Sequence, residues 1–462
     1  MNNDPSTLQF IQEHANDDVR QLALAFSRTN APTHSNINIP FALDQIRGRQ
    51  IARTKIPSWA ALDDILYPPH LSMEQCSSEQ TARYKAQLIA RLFTQTNPTH
   101  TYPHTLAPTF SFADLTGGLG VDFSFILQAI KQMTPLPQEG QRMGLYIERS
   151  PELCELAAHN FQALALQGVE VRCGDAIDLF SLQETDIRET AHIIFLDPAR
   201  RNQHGARTYA ISDCTPDVLA LRDQLLARCH YLVLKLSPML DWHDAVQQLG
   251  SVTEVHIVAT QNECKELLLV LKGNLQRLAP NEVPSFHKGE TAINEVPSFH
   301  KGGVRGGSCN FPPRIFCIND NQTFSYTPAP SAPSHLPTSA PSHLLYVPNA
   351  AINKAGCWSE VAKAYSVKPI SANTHLFVST EMVHNFPGRC FRIEQVCSLN
   401  KKELKKALQG IKRANIATRN FPLTPQQLRQ RLKLQDGGDT YIFGITSADE
   451  KHLLLVCSKA SS

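Results

Sequence analysis

The chain reads as an α/β protein built on a doubly wound parallel sheet, preceded by a helical region and followed by small α+β units. Three observations predict this. From about Phe110 to Lys272, short β-like runs alternate with helical stretches. The first hundred residues carry apolar positions at helical spacing instead, and after a repeat-rich break at 273–345 the pattern resumes only as short strands and helices.

In the N-terminal region, Val19 to Phe26, Pro40 to Ala52 and Ser78 to Phe93 each place apolar residues on one helical stripe, with Ser77 or Ser78 as an N-cap for the last. The alternating region then runs SFADL, helix 122–132, GLYIE, helix 151–166, VEVRC, HIIFLD, helix 215–228 and YLVLKL, and closes with a hairpin of VTEVHIVA and KELLLVLK. Ser150-Pro151-Glu152 supplies an N-cap, a proline at the first helical position and an acid in the first turn, and Gly168 follows the helix's end. Beyond 345 the predicted order is strand, helix 359–365 and strand. From Arg389 it is strand, basic helix Lys401 to Ile411, a short helix opened by Thr424-Pro425, and strands 441–445 and 452–457.

Between lies a segment with two short duplications. Asn281 to Gly289 recurs as Asn294 to Gly302, and Ser331 to Leu336 recurs as Ser339 to Leu344. Repeats this short and this rich in Pro, Ser, Gly and His cannot stack into a solenoid, which needs longer periods and several copies. We expect a disordered insertion over 281–344, interrupted by a strand pair near Arg314 to Tyr326, whose deletion leaves cofactor binding intact.

A length of 462 residues gives room for about three domains with real cores. The start, Met1-Asn2-Asn3-Asp4, has no basic or apolar leader, and no apolar run approaches the length of a membrane helix, so neither a signal peptide nor a membrane span is expected. The 12 Cys never form C-x-x-C and read as reduced thiols of a cytoplasmic protein, with no metal site expected. The formal net charge of +2 conceals a segregation: 13 Lys/Arg face 21 Asp/Glu over 111–272, whereas 12 Lys/Arg face only Glu394 and Glu403 over 389–433. A basic module tied to an acidic one fits a polyanion held in place for chemistry, or a solvated helix face.

The sharpest local pattern is Phe112-Ala-Asp114-Leu-Thr116-Gly117-Gly118-Leu-Gly120-Val-Asp122, a strand ending in an acid and running through a glycine loop into a helix. Such a loop brings backbone close to a ligand and aims helix N–H groups at it. It is not a G-x-G-x-x-G dinucleotide fingerprint, because Phe123 stands where the third Gly belongs. Glu148, Asp175 and Asp197 end the next three strands. Four acids at four consecutive strand ends converge on one crevice, where open α/β sheets bind ligands.

On these residues the stretch 111–272 resembles the class I methyltransferases that use S-adenosyl-L-methionine (SAM). The motifs D-x-T-G-G-x-G-x-D, strand-E-x-S-P and Asp197-Pro198-Ala199-Arg200-Arg201 resemble more narrowly the bacterial methyltransferases with a C-terminal THUMP-like domain. Glu74 to Lys85, Asn415 to Pro422 and Gln435 to Thr440 are similar to that family too. The resemblance implies a helical region over 1–100, a Rossmann-like methyltransferase core over 101–272, a ferredoxin-like connector over 273–388 interrupted by the insertion, and a THUMP-like RNA-binding domain over 389–462. It implies SAM as cofactor and methylation of a base in structured RNA, tRNA or rRNA. The alternatives are an RNA-binding protein with a non-catalytic methyltransferase fold, or a protein or small-molecule methyltransferase.

Residue by residue, Asp114 is expected at the cofactor's ammonium end, with Thr116, Gly117, Gly118, Gly120 and Asp122 cradling its methionine and ribose. Glu148 is expected on the ribose hydroxyls, Asp175 and Ala176 at the adenine, and Gln75, Ser78 and Thr81 at the carboxylate, a plain helix cap being the alternative for these three. Asp197, Pro198 and Arg200 form the catalytic motif, in which Ala199 and Arg200 replace the usual proline and stacking aromatic; the acceptor atom stays open, and a flipped base could stack on Tyr209. Cys214 reads as a core thiol rather than a nucleophile. Lys235, inside an apolar strand, either orients the acceptor or pairs with Asp197, with Ser237 beside it. Lys401, Lys402, Lys405, Lys406, Lys412, Arg413 and Arg419 form a phosphate footprint on or after one helix.

Overall fold

The computed structural model describes residues 4–28, 37–96, 109–133, 142–176, 190–200, 210–275, 312–328 and 343–460. The first duplication, most of the second, and Arg201 and Tyr209 lie outside them. The chain divides into two compact units, residues 1–253 with 268–311, and residues 254–267 with 312–462.

The first unit opens with helices α1 (Pro5–Glu13), α2 (Val19–Arg28) and α3 (Ile39–Lys55). Asp4 and Asn38 cap α1 and α3 by accepting from the backbone N–H of Ser6 and Phe41. Phe10, Ile11, Leu22, Ala42 and Ile46 form their shared core. After the short helices α4 (Pro57–Ala60) and α5 (His70–Gln75), α6 (Glu79–Thr96) leads to the sheet.

Sheet and helix then alternate: β1 (Phe110–Asp114), α7 (Val121–Met133), β2 (Arg142–Glu148), α8 (Pro151–Ala163), β3 (Val169–Cys173) and β4 (Ala191–Leu196). There follow the two-residue strands β5 (Ala199–Arg200) and β6 (Cys214–Thr215), α9 (Val218–Leu226), β7 (Cys229–Leu236), α10 (Trp242–Leu249) and the strands β8 (Val252–Thr260) and β9 (Glu263–Lys272). The main strands of this unit lie in the order β7-β4-β1-β2-β3. All neighbours among them run parallel. Every residue of β1 and β4 is buried, as strands covered on both faces require. The order reverses between β1 and β4, so the loops leaving their carboxyl ends part there and leave a crevice.

In the second unit, residues 254–259 of β8 pair in parallel with β10 (Arg314–Asn319), and β10 pairs antiparallel with β11 (Gln322–Tyr326). The strand pair expected inside the 281–344 segment is therefore β10 and β11. A seven-stranded sheet follows, with strands β12 (Leu344–Pro348), β13 (Lys368–Pro369), β14 (Phe377–Ser379), β15 (Gly388–Ser398), β16 (Asn415–Arg419), β17 (Thr440–Thr446) and β18 (His452–Lys459) in the order β13-β14-β12-β15-β18-β17-β16. Its helices are α11 (Ala350–Ala355), α12 (Trp358–Tyr365), α13 (Lys401–Ala407) and α14 (Pro425–Leu432). Strand alternation sends Phe443, Ile445, Leu455 and Cys457 into one core and Ile442, Leu454 and Val456 into another, so the sheet is covered on both faces.

The basic region of the second unit differs from the prediction in two places. The basic helix ends at Ala407 rather than Ile411, since Gly410 has φ +81 and the chain turns there. Strand β16, parallel to β17, was not predicted: Asn415-Ile-Ala-Thr-Arg has no clean alternation, and four of its five residues are half-buried.

Candidate active site

A cavity of about 450 Å³ opens at the carboxyl ends of β1, β2, β4 and β7. Its floor is the glycine loop. Asp114, 2% exposed, accepts from the Thr116 N–H at 2.9 Å and from the Thr116 hydroxyl, and the same hydroxyl accepts from the Asp197 N–H at 2.6 Å. One threonine thus ties the end of β1 to the end of β4. Gly117 donates to the Ile147 carbonyl at 2.8 Å, and the Gly118 N–H donates to Glu148 Oε2 at 2.9 Å. Glu148 Oε1 accepts from the Ser150 N–H at 2.9 Å, so two backbone bonds fix the carboxylate and leave it capacity for further donors.

Glycine is required in this loop for space at one position and for conformation at another. A Cβ on Gly117 would lie 2.0 Å from Tyr146 Cε2, whereas at Gly118 it would meet nothing closer than 3.9 Å but φ is +59.

The opposite wall carries a charge network. Lys235 Nζ lies 2.7 Å from Asp197 Oδ2, 3.3 Å from Asp122 Oδ2 and 3.1 Å from the Ser77 hydroxyl. Lys85, fully buried in α6, lies 3.2 Å from Asp122 Oδ1 and 3.2 Å from the same hydroxyl. Ser77 itself donates to Asp122 Oδ2 at 2.8 Å. Burial opposes the Asp122 charge, but the Lys85 and Lys235 ammoniums outweigh it and hold this carboxyl below the ordinary range. Asp114 goes the other way. Burial, reinforced by the Asp122 and Asp197 carboxylates against the pull of the Thr116 N–H and Lys235, pushes it up to about 8.

Of the residues predicted from sequence, Asp114, Thr116, Gly117, Gly118, Gly120, Asp122, Glu148, Ala176, Gln75, Asp197, Pro198 and Lys235 all line this one cavity. Asp175 is outside its lining and pairs at 2.6 Å with Arg149, which lines it. Ser78 is outside it too: its hydroxyl accepts from the Thr81 N–H, the helix-cap alternative. Its neighbour Ser77 is the residue in the wall. The Arg200 side chain lies outside the described residues, while its backbone pairs with Cys214, which is buried. Sequence reasoning missed Ser77, Lys85, Phe195 and the cis Thr215-Pro216 bond at the rim. Lys85 could have been found as the one cation on the Ala82, Leu88, Ile89 stripe of α6.

The basic residues lie in the second unit. Lys401, Lys402, Lys405 and Lys406 are exposed on α13. Lys402, Lys405 and Lys406 line a groove with Arg431 over a floor of Leu404, Leu408 and Leu432. Lys412, Arg413 and Arg419 are exposed beyond it, with Arg413 donating to the Asp436 carbonyl at 3.1 Å.

Two family models match the second unit: a THUMP domain-like model over residues 388–459 and a ferredoxin-like domain model over 344–387. Over the whole length, the structure is similar to that of a candidate methyltransferase from Porphyromonas gingivalis W83, at 29% identity and a TM-score of 0.73, covering 99% of this chain and 98% of that one. The chain has a methyltransferase fold and a THUMP-like domain. The THUMP-like stretch is the one carrying the basic helix. More distant similarities include an O-methyltransferase from Bacillus cereus solved with SAH, at 12% identity and a TM-score of 0.31 over 55% of this chain and 100% of that one. Another is an O-methyltransferase from Streptomyces achromogenes solved with SAM, at 13% identity and a TM-score of 0.31 over 55% and 96%. No curated protein matches the chain. Among the described residues, no helix is long and apolar enough to cross a membrane, and no three His, Cys, Asp or Glu side chains cluster as a metal site.

Proposed function

We propose that this protein is a cytoplasmic SAM-dependent methyltransferase acting on a base in structured RNA, tRNA or rRNA. The observation that carries the cofactor reading is the coincidence of cavity and charge. Asp122, Glu148 and Asp197, with Asp114 ready to ionise against a cation, line a cavity whose cations Lys235 and Arg149 are already paired with acids, and the buried Lys85 pairs with Asp122 as well. A site with excess negative charge suits a ligand of net positive charge. The residues fit the group: the glycine loop approaches without side chains, Glu148 retains acceptor capacity for ribose hydroxyls, and Asp114 takes the α-ammonium. Gln75 and Ser77 serve the carboxylate end, and Ala176 the adenine, with Asp175 supporting it through Arg149.

The cofactor, when bound, supplies an electrophilic methyl group whose transfer is an in-line displacement. This chain's contribution is alignment and charge. Asp197, held at one oxygen by Lys235 and at its backbone by Thr116, accepts a hydrogen bond from the acceptor's N–H and sets its direction toward the methyl group. Lys235 pairs with the Asp197 carboxylate at 2.7 Å, and Pro198 leads the chain from Asp197 towards Arg200. RNA is held by Lys401, Lys402, Lys405, Lys406, Lys412, Arg413 and Arg419 of the THUMP-like domain, in a mode that reads backbone and shape. In this assignment the segments 1–100, 101–272, 273–388 and 389–462 are the helical region, the catalytic core, the connector and the RNA-binding domain.

Incubation of the full chain with labelled SAM and unmodified total RNA tests the reading. It predicts label in RNA, lost in Asp197→Ala; label in protein alone, or none despite SAM binding, would overturn the substrate assignment.

A further inference from the structure

The second unit holds a cavity of its own, of about 350 Å³, which the methyltransferase reading does not use. That size lies within the range of small-molecule sites, about 300–1,000 Å³. Two tight turns form one wall. Gln261 and Asn262, joining β8 to β9, have φ +51 and +61, and Asp320, joining β10 to β11, has φ +53. The Gln261 N–H donates to both Asp320 oxygens, at 3.0 and 3.2 Å, and so locks the turns together.

The lining is rich in amides, and most of them are engaged in building the wall. Gln322 donates to the Gly388 carbonyl at 2.9 Å and accepts from Asn349 Nδ2 at 3.0 Å, while Asn262 Oδ1 accepts from the Ala350 N–H at 2.9 Å. Asn319 is the exception. It is 7% exposed, its nitrogen donates to Asp320 at 3.2 Å, and its Oδ1 is buried without a hydrogen-bond partner among the described residues. A buried amide oxygen left unmatched is destabilising, and a ligand donor would relieve it. The amide nitrogen of Asn262 takes no part in the bond its oxygen makes, and gives the same wall a donor.

The rim carries one guanidinium. Arg389 is exposed and lines the cavity. The Asp320 carboxylate, the acid in the lining, is engaged by Gln261 and Asn319.

We infer that this cavity is a nucleotide site, with amides matched to the hydrogen-bonding edge of a base and Arg389 placed for its phosphate. Amide side chains present a donor and an acceptor together, as base edges do, and a guanidinium is suited to phosphate. The nucleotide comes either free or as an unstacked residue of an RNA strand. The second source rests on the RNA reading above; the first does not.

The test is calorimetric titration of the full chain with each of the four ribonucleoside 5′-monophosphates and, separately, with single-stranded RNA octamers. Wild type is compared with Asn319→Ala and with the exposed-site variant Arg389→Ala, and a SAM titration of each reports whether the first unit is intact. The inference predicts that at least one ligand binds wild type and binds about tenfold more weakly in both variants, as loss of a charge-assisted or buried hydrogen bond implies. Octamer binding that weakens while monophosphates fail to bind assigns the strand as source; monophosphate binding that weakens assigns the free nucleotide. No binding of either ligand to folded wild type, or binding that Arg389→Ala leaves unchanged, would overturn the site whatever SAM does.

Discussion

Asp114 is the residue on which the charge of the crevice turns. Its carboxyl is pushed up to about 8 in the folded chain, whereas an unfolded Asp titrates near ~3.9. Between those values the unfolded state gives up this proton and the folded state keeps it, so the group's contribution is present at low pH and lost as pH rises toward 8. We expect the ligand-free protein to lose stability from this group across that window, by up to about 1.4 kcal/mol per pH unit. Asp114→Asn should flatten the profile, as read by urea melts at several pH values. A profile unchanged by the variant would place the carboxyl's titration elsewhere. A cationic ligand at this position favours the ionised form, so cofactor affinity should rise with pH over the same range.

Lys85 gives a second residue-scale expectation. It is fully buried, 3.2 Å from Asp122, so Lys85→Met removes one of two ammoniums from a buried carboxylate. A cost of about 3–5 kcal/mol is expected in denaturant unfolding. A cost below about 1 kcal/mol would mean that Lys235 alone neutralises Asp122.

At the scale of elements, the glycine loop separates two reasons for glycine. Gly117→Ala drives a Cβ to within 2.0 Å of the Tyr146 ring, which also donates to the Gly118 carbonyl, so the loop must move. Gly118→Ala has room but sits at φ +59, with an expected cost of about 1 kcal/mol. SAM titration should therefore show lost binding in the first variant and modest weakening in the second; the reverse order would contradict the loop's role as cradle.

The loop and the strand ends were legible in the sequence because each is local: apolar runs of strand length stop at Asp114, Glu148 and Asp197. What was not legible depends on distant pairing. Ser77 and Ser78 are indistinguishable as caps until α6 is placed, and only then does Ser77 alone meet Asp122 and both lysines. Lys85 stands out on the apolar stripe of α6, but its partner does not: only the placed helix shows that it meets Asp122. Strand β16 is set by pairing with β17, and the polar cavity of the second unit by turns from segments nearly sixty residues apart, Gln261 and Asp320.

On the scale of the whole molecule, charge is segregated along the chain: acidic where the crevice lies, basic across 389–433. Replacing Lys401, Lys402, Lys405 and Lys406 by Glu should weaken RNA binding and flatten its dependence on salt. Each lost phosphate contact removes about 0.7–0.9 from the logarithmic slope. The SAM titration should be unaffected, because the cofactor cavity is built wholly from residues of the first unit. An RNA affinity unmoved by four reversals would remove α13 from the interface.

The central claim is that the crevice over the glycine loop holds SAM. Calorimetric titration of the purified full chain with SAM, beside its Asp114→Ala variant, tests it most directly. The account predicts saturable binding to wild type at micromolar cofactor and its loss in a variant that still melts cooperatively. A folded wild type that takes up no SAM would contradict it.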